Sequence, residues 1–336
     1  MRSHSRNFLP GTRPPGIRTS TGKRLPGARR KIFIAVQWLL AVAIVWYAIA
    51  ALRGQWNEAG QRLQSIHPRW GWITLATLIV FATYALLNET WRRVIMSSGQ
   101  TLGFSDAVRI WFVSNLGKYI PGKIWSIAAM TMMARKNNVS PAIAAGSSVL
   151  MQLVTIAAGI GVVFVTGAQA VDHPSIAITA AVVIIGVLAI LPAALPRLGR
   201  LASSLTGKEI VLPRLPSSVV WMCIVSSVVS WITYGIAFQF FVRGTLGSAS
   251  GATSSYIAVY AASYIIGFLA LFAPGGAVVR ESAIVTGMLR FGLSGQADAL
   301  AVAVTSRIWL TFTELLPGLA YMALGKRTRD QNDRRN

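Results

Sequence analysis

Four ionisable residues lie in stretches otherwise apolar enough to sit inside a lipid bilayer. Arg280 and Glu281 follow a Pro274-Gly275-Gly276 turn, and Arg307 and Glu314 stand seven residues apart, on one face of a helix. An ionisable group at membrane depth costs at least about 2.5–3.5 kcal/mol on insertion scales, which makes each a functional candidate. Two chemistries suit the set. In the first, Arg280 and Arg307 bind an anionic headgroup, helped by free N–H groups at half-helix starts, while Glu281 and Glu314 act as counter-charges or proton acceptors. In the second, Arg280 and Glu281 form buried ion pairs with Arg307 or Glu314 as partners and lock the segment. A further polar group, Asn115, Lys118 and Lys123, surrounds Pro121-Gly122. Its lysines can join the headgroup site or snorkel to the interface. Glu89, next to Asn88, is expected at a membrane boundary beside Arg92 and Arg93.

These residues need elements to position them, and the composition says which kind. The chain has 336 residues, 54% hydrophobic and 12% charged, about half the charge of a soluble domain. An ordinary cytosolic enzyme and a disordered chain are both excluded. A crossing helix needs about 20 mostly apolar residues, and six stretches qualify: 32–52, 70–91, 142–167, 175–195, 218–242 and 298–324. The expected architecture is all-α and polytopic. Residues 1–31, with nine Arg/Lys and no acid, read as a disordered basic arm. Residues 325–336 read as a basic tail with five Arg/Lys against two Asp. Loops 92–109 and 196–217 carry more positive charge than 168–174, which favours both termini in the cytoplasm. Loop 53–69, with three Arg, runs against that bias.

Two stretches, about 104–134 and 254–290, do not fit as crossings. The first is broken at Pro121-Gly122 and the second at Pro274-Gly275-Gly276, where Pro removes a helix donor and Gly tolerates unusual dihedrals. Three of the four arms are too short for a ~30 Å hydrocarbon core, and the fourth is borderline. Two re-entrant hairpins are the economical reading. Broken backbone at that depth must be buried in protein or line a wet cavity. Similar sequence follows both stretches. Arg135 sets opposite Arg290 and Gln152 opposite Arg307 in one register, and Asn138-Val139-Ser140 opposite Gly292-Leu293-Ser294 in a register one residue shorter. The following spans run in opposite directions, so the two units form a candidate inverted repeat, a plan that places substrate at the repeat interface.

Other chemistries find no support. A single cysteine, Cys223, and three scattered histidines leave no disulfide framework and no metal cluster. No nucleotide, hydrolase or zinc-protease motif appears, so no catalytic residue, metal or cofactor is expected. The net charge of +22 comes without a nucleic-acid recognition motif. Trp70, Trp72, Trp91, Trp221 and Trp231 are expected in an interfacial aromatic belt. Small residues such as Gly146, Ser147 and Ser148 permit close helix packing, within one chain or between two.

The run Asn115-Leu-Gly-Lys-Tyr-Ile-Pro-Gly-Lys-Ile-Trp125 resembles the first motif of the lysylphosphatidylglycerol synthase transmembrane-region (flippase-like) family. Pro274-Gly-Gly-Ala-Val-Val-Arg-Glu281 resembles its second, a Pro-Gly-Gly-x-Gly-x-Arg-Glu pattern. The resemblance spans about residues 35–325. Here Ala277-Val278 replaces the usual small-residue and Gly arrangement, and the paired Lys118 and Lys123 depart from the commoner Gly-rich first motif. The resemblance implies movement of lipid between leaflets. Some members add an aminoacyltransferase domain after the last span, and only twelve residues follow it here, so aminoacyl transfer is not expected. The implied function is a non-enzymatic flippase or scramblase of the cell membrane, passive or ion-coupled. Its cargo would be an anionic or aminoacylated phospholipid or a polyprenyl-phosphate-linked sugar, with a separate synthase or glycosyltransferase as candidate partner. The alternative is an integral-membrane enzyme or a scaffold in a cell-envelope glycolipid pathway.

Overall fold

The computed structural model describes residues 66–119, 124–170, 174–206, 215–270, 276 and 278–333. The arm 1–31, the first expected span 32–52, and Pro121, Gly122, Lys123, Pro274 and Gly275 lie outside the described residues. Within them the chain is helical, with no strand. The helices are α1 (Trp70–Met96), α2 (Phe104–Asn115), α3 (Ile124–Lys136), α4 (Pro141–Gly167), α5 (Pro174–Thr206), α6 (Ser217–Leu246), α7 (Thr253–Leu269), α8 (Val279–Arg290) and α9 (Gln296–Asp333). Five of them, α1, α4, α5, α6 and α9, are long and apolar enough to cross a membrane.

Punctuation in the sequence sets the boundaries. Pro141 and Pro174 open α4 and α5, where a missing N–H costs nothing. Pro216 precedes α6, which ends on Gly247 in the left-handed region. The last helix, α9, continues past its apolar part to Asp333, through most of the basic stretch 325–336. Past Gly325 the sequence has no proline to stop it and is rich in helix-compatible Lys and Arg.

The expected broken stretches appear as helix pairs. α2 has 12 residues and continues into a 3-10 turn, Leu116–Tyr119. α3 has 13 and α8 has 12, so each is about 18–20 Å long, short of a ~30 Å core. α7, with 17 residues, reaches about 26 Å.

The helices pack in a reciprocal pattern. α1 and α6 run antiparallel, with the Arg69 N–H on the Gly244 carbonyl at one end and Thr83 Oγ1 against Thr233 Oγ1, 2.8 Å, farther along. Those threonines are 150 residues apart, and the same spacing relates neighbouring contacts. Phe81 meets Tyr84 edge-on at 6.4 Å, and Trp231 meets Tyr234 edge-on at 6.5 Å. α9 packs on α2 while α4 packs on α7. Trp309 of α9 donates to Thr77 of α1, and Thr155 of α4 bonds Ser227 of α6.

Both short second arms end alike. Asn138 closes α3 at φ 58 and Gly292 closes α8 at φ 63. Val139 N–H reaches the Ala134 carbonyl, as Leu293 N–H reaches that of Met288, completing two Schellman caps. Ser140 then starts α4 and Gly295 starts α9, so the second connector carries one extra residue. The caps pair Asn138 with Gly292, so Arg290 stands opposite Lys136 and the expected pairing of Arg290 with Arg135 is one residue out of register.

Candidate functional site

Each hairpin closes through a glycine on its first arm. A Cβ on Gly117 would stand 2.8 Å from the Ser126 nitrogen, and one on Gly267 would stand 2.9 Å from the Arg280 Cβ. These glycines, again 150 apart, let the second arm approach the first closely. Gly276, at φ 69, fits against Gly267, where a Cβ would meet the carbonyl oxygen at 2.7 Å. Ser126 in the first hairpin thus occupies the place of Arg280 in the second. Counting from the caps Ser140 and Gly295, Gln152 matches Arg307 and Gly159 matches Glu314.

Arg280 enters on the first turn of α8 and is buried, 8% exposed. Its guanidinium lies over the rings of Tyr260 and Tyr264, at 5.2 and 5.5 Å, within cation–π range of both. Its Nε and Nη2 have no hydrogen-bond partner. Beside it, Glu281 Oε1 faces Arg307 Nη1 at 3.5 Å, with the side chains 17% and 24% exposed. Glu281 Oε2 is buried without a partner. The ion-pair reading therefore holds for Glu281 with Arg307, and Arg280 stands outside that pair.

Glu314, two turns along α9 from Arg307, accepts a hydrogen bond from the Tyr84 hydroxyl at 3.1 Å. Tyr84 meets Tyr234 at 6.0 Å, and Tyr234 stacks on Tyr260 at 5.6 Å. A tyrosine chain from α1, α6 and α7 thus links Glu314 to Arg280. Sequence reasoning missed these tyrosines, although Tyr256, Tyr260 and Tyr264 recur every fourth residue on one face of α7.

The first hairpin reaches the same neighbourhood from the other side. Phe112 of α2 packs edge-on against Tyr84 at 5.7 Å. Gly318, one turn beyond Glu314, lies against the Phe112 carbonyl and Leu116. Asn115 ends α2, partly buried, and Lys118 lies in the 3-10 turn that follows. The structure therefore brings Arg280, Glu281, Arg307 and Glu314 into one cluster, with the end of α2 beside it. Pro121, Gly122, Lys123, Pro274 and Gly275 fall outside the described residues.

Outside the cluster, Glu89 pairs with the two arginines that follow it. It takes Arg92 at 2.7 Å and Arg93 at 2.8 Å. Two tryptophans assigned to the belt belong to the core instead. Trp91 is fully buried against Trp111 and donates to Ser148, and Trp231, 3% exposed, donates to the Thr155 carbonyl. Their indole N–H groups find partners inside the protein, which removes the reason to sit at an interface. Trp70 and Trp221 remain exposed. An open cleft of about 530 Å³ between Met96, Gly103, Asp106 and Lys136 contains none of the four charged residues, and its lining of loop and helix-end side chains shows no comparable set of buried charges. Among the described residues no group of His, Cys, Asp and Glu is arranged to hold a metal.

No curated protein matches the sequence. Residues 34–318 match the family described as the lysylphosphatidylglycerol synthase TM region. With nearly the whole chain covered, this multi-pass helical membrane protein belongs to the lysylphosphatidylglycerol synthase TM region family.

Proposed function

We propose that the protein moves a phospholipid or lipid-linked headgroup between membrane leaflets without chemically changing it. One observation carries the reading: the bonding edge of Arg280, Nε and Nη2, is buried at a helix break without a partner. A buried guanidinium left unbonded is costly, and an oxyanion on a headgroup would complete it. Arg307, Asn115, Lys118 and Lys123 are the further polar groups on the headgroup's route. Glu281 and Glu314 are the counter-charges, or carry the proton if transport is ion-coupled.

The packing supports the same reading. An antiparallel α1–α6 pair meeting through equivalent residues is what a two-fold axis perpendicular to those helices produces. With those helices spanning, the two units become an inverted repeat and the short hairpins re-entrant, dipping from opposite sides toward a shared midplane. The cell membrane, with both termini in the cytoplasm, is the setting that the loop charges favour. The cargo classes in view remain anionic or aminoacylated phospholipids and polyprenyl-phosphate-linked sugars.

The test is leaflet exchange of labelled lipids in vesicles holding the purified chain, with and without a pH gradient. Exchange by the wild type, lost in an Arg280→Ala/Glu281→Ala double variant that still folds, is the expected outcome. Undiminished exchange in that variant would sink the assigned site.

A further inference from the structure

We propose that the headgroup accepted at this site is a zwitterion, pairing a phosphodiester with a primary ammonium, in preference to a net-anionic headgroup. The inference rests on the translocation reading and narrows its cargo. The free donor edge of Arg280 has a defined shape. Arg92 shows what that edge does elsewhere in this chain: its Nε and Nη2 grip the two oxygens of Glu89 at 2.7 and 2.8 Å. On Arg280 the same two nitrogens are buried without a partner. They form a planar fork suited to two oxygens of one oxyanion, and the Tyr260 and Tyr264 rings lie within cation–π range of it. A phosphodiester, with two non-bridging oxygens, fits that edge.

A free acceptor stands on the next residue. Glu281 directs Oε1 at Arg307 and leaves Oε2 buried without a donor. An ionised carboxylate oxygen can only accept, so the ligand must bring an N–H or O–H within reach of the phosphodiester. Charge decides which. Among the described side chains of the cluster, Arg280 and Arg307 already balance Glu281 and Glu314. A zwitterion keeps that balance. A headgroup with a surplus negative charge leaves one unit uncompensated at a depth where uncompensated charge is expensive. The ammonium satisfies Glu281 Oε2 and the phosphodiester satisfies Arg280.

The test uses the full chain in phosphatidylcholine vesicles with acyl-labelled phosphatidylethanolamine and phosphatidylglycerol as tracers. The expected result is exchange of the ethanolamine lipid at least about tenfold faster than the glycerol lipid, the factor that one well-placed charged hydrogen bond supplies. Glu281→Gln should bring the ratio toward one by slowing the ethanolamine lipid. If that variant does not fold, the wild-type comparison decides alone. Phosphatidylglycerol moving as fast or faster overturns the zwitterion proposal and leaves translocation standing. No exchange of either tracer by folded protein removes the translocation reading, and this proposal with it.

Discussion

The two halves of this protein share a scaffold and differ in chemistry. In the first, the residue pressed against the hairpin glycine is Ser126, and the long helix that follows offers Gln152 and Gly159. In the second, those places hold Arg280, Arg307 and Glu314, with Glu281 beside them. The scaffold contacts recur: antiparallel threonines, edge-on aromatic pairs, Schellman caps and glycine-closed hairpins. The charges do not recur. Among the described side chains, matching contacts therefore carry an Arg–Glu cluster in the second half where the first places Ser126, Gln152 and Gly159.

The comparison breaks most visibly at the glycines. Gly117→Ala and Gly267→Ala should each cost about 2–3 kcal/mol, because the added methyl meets backbone or Cβ atoms that cannot swing away. Melting temperatures in detergent check this, and a large loss at one site with none at the other would contradict the shared frame. Next comes the ion pair. Arg307→Gln should cost about 1–2 kcal/mol by stranding Glu281, discounted from the fully buried case because both side chains keep some solvent. Its counterpart change, Gln152→Ala, should stay within about 0.5 kcal/mol.

A gain is expected at the second turn. Val278 sits at φ 71, a region that β-branched residues avoid. Val278→Gly should raise stability by about 1 kcal/mol, as relief of left-handed strain outweighs the added chain freedom of glycine. It should also change the exchange rate, since the strained residue stands two positions before Arg280. The smallest effects test the reciprocity itself. Thr77→Val and Ser227→Ala each remove one interhelical hydrogen bond and should cost similar amounts, about 1 kcal/mol.

Much of the frame was legible in the sequence. Apolar runs located the long helices, and the Asn138 and Gly292 regions aligned because both end a helix in the left-handed conformation. The charged set was legible because Arg280, Glu281, Arg307 and Glu314 violate their apolar surroundings. What stayed hidden was partnership. Tyrosine is at home in an interface or a core, so the chain from Tyr84 through Tyr234 to Tyr260 emerges only when α1, α6 and α7 are brought together. Trp91 and Trp231 misled for the same reason: indole suits either place, and only an internal acceptor decides.

The most direct test of the claim that transport runs through the Arg280 cluster compares Arg280→Gln with Ser126→Ala in the same vesicle exchange assay. The account predicts exchange by the wild type, a loss of about a hundredfold in Arg280→Gln, the scale of a stranded charged contact, and less than about a twofold change in Ser126→Ala. Equal rates in the two variants, or no exchange by folded wild type, would contradict it.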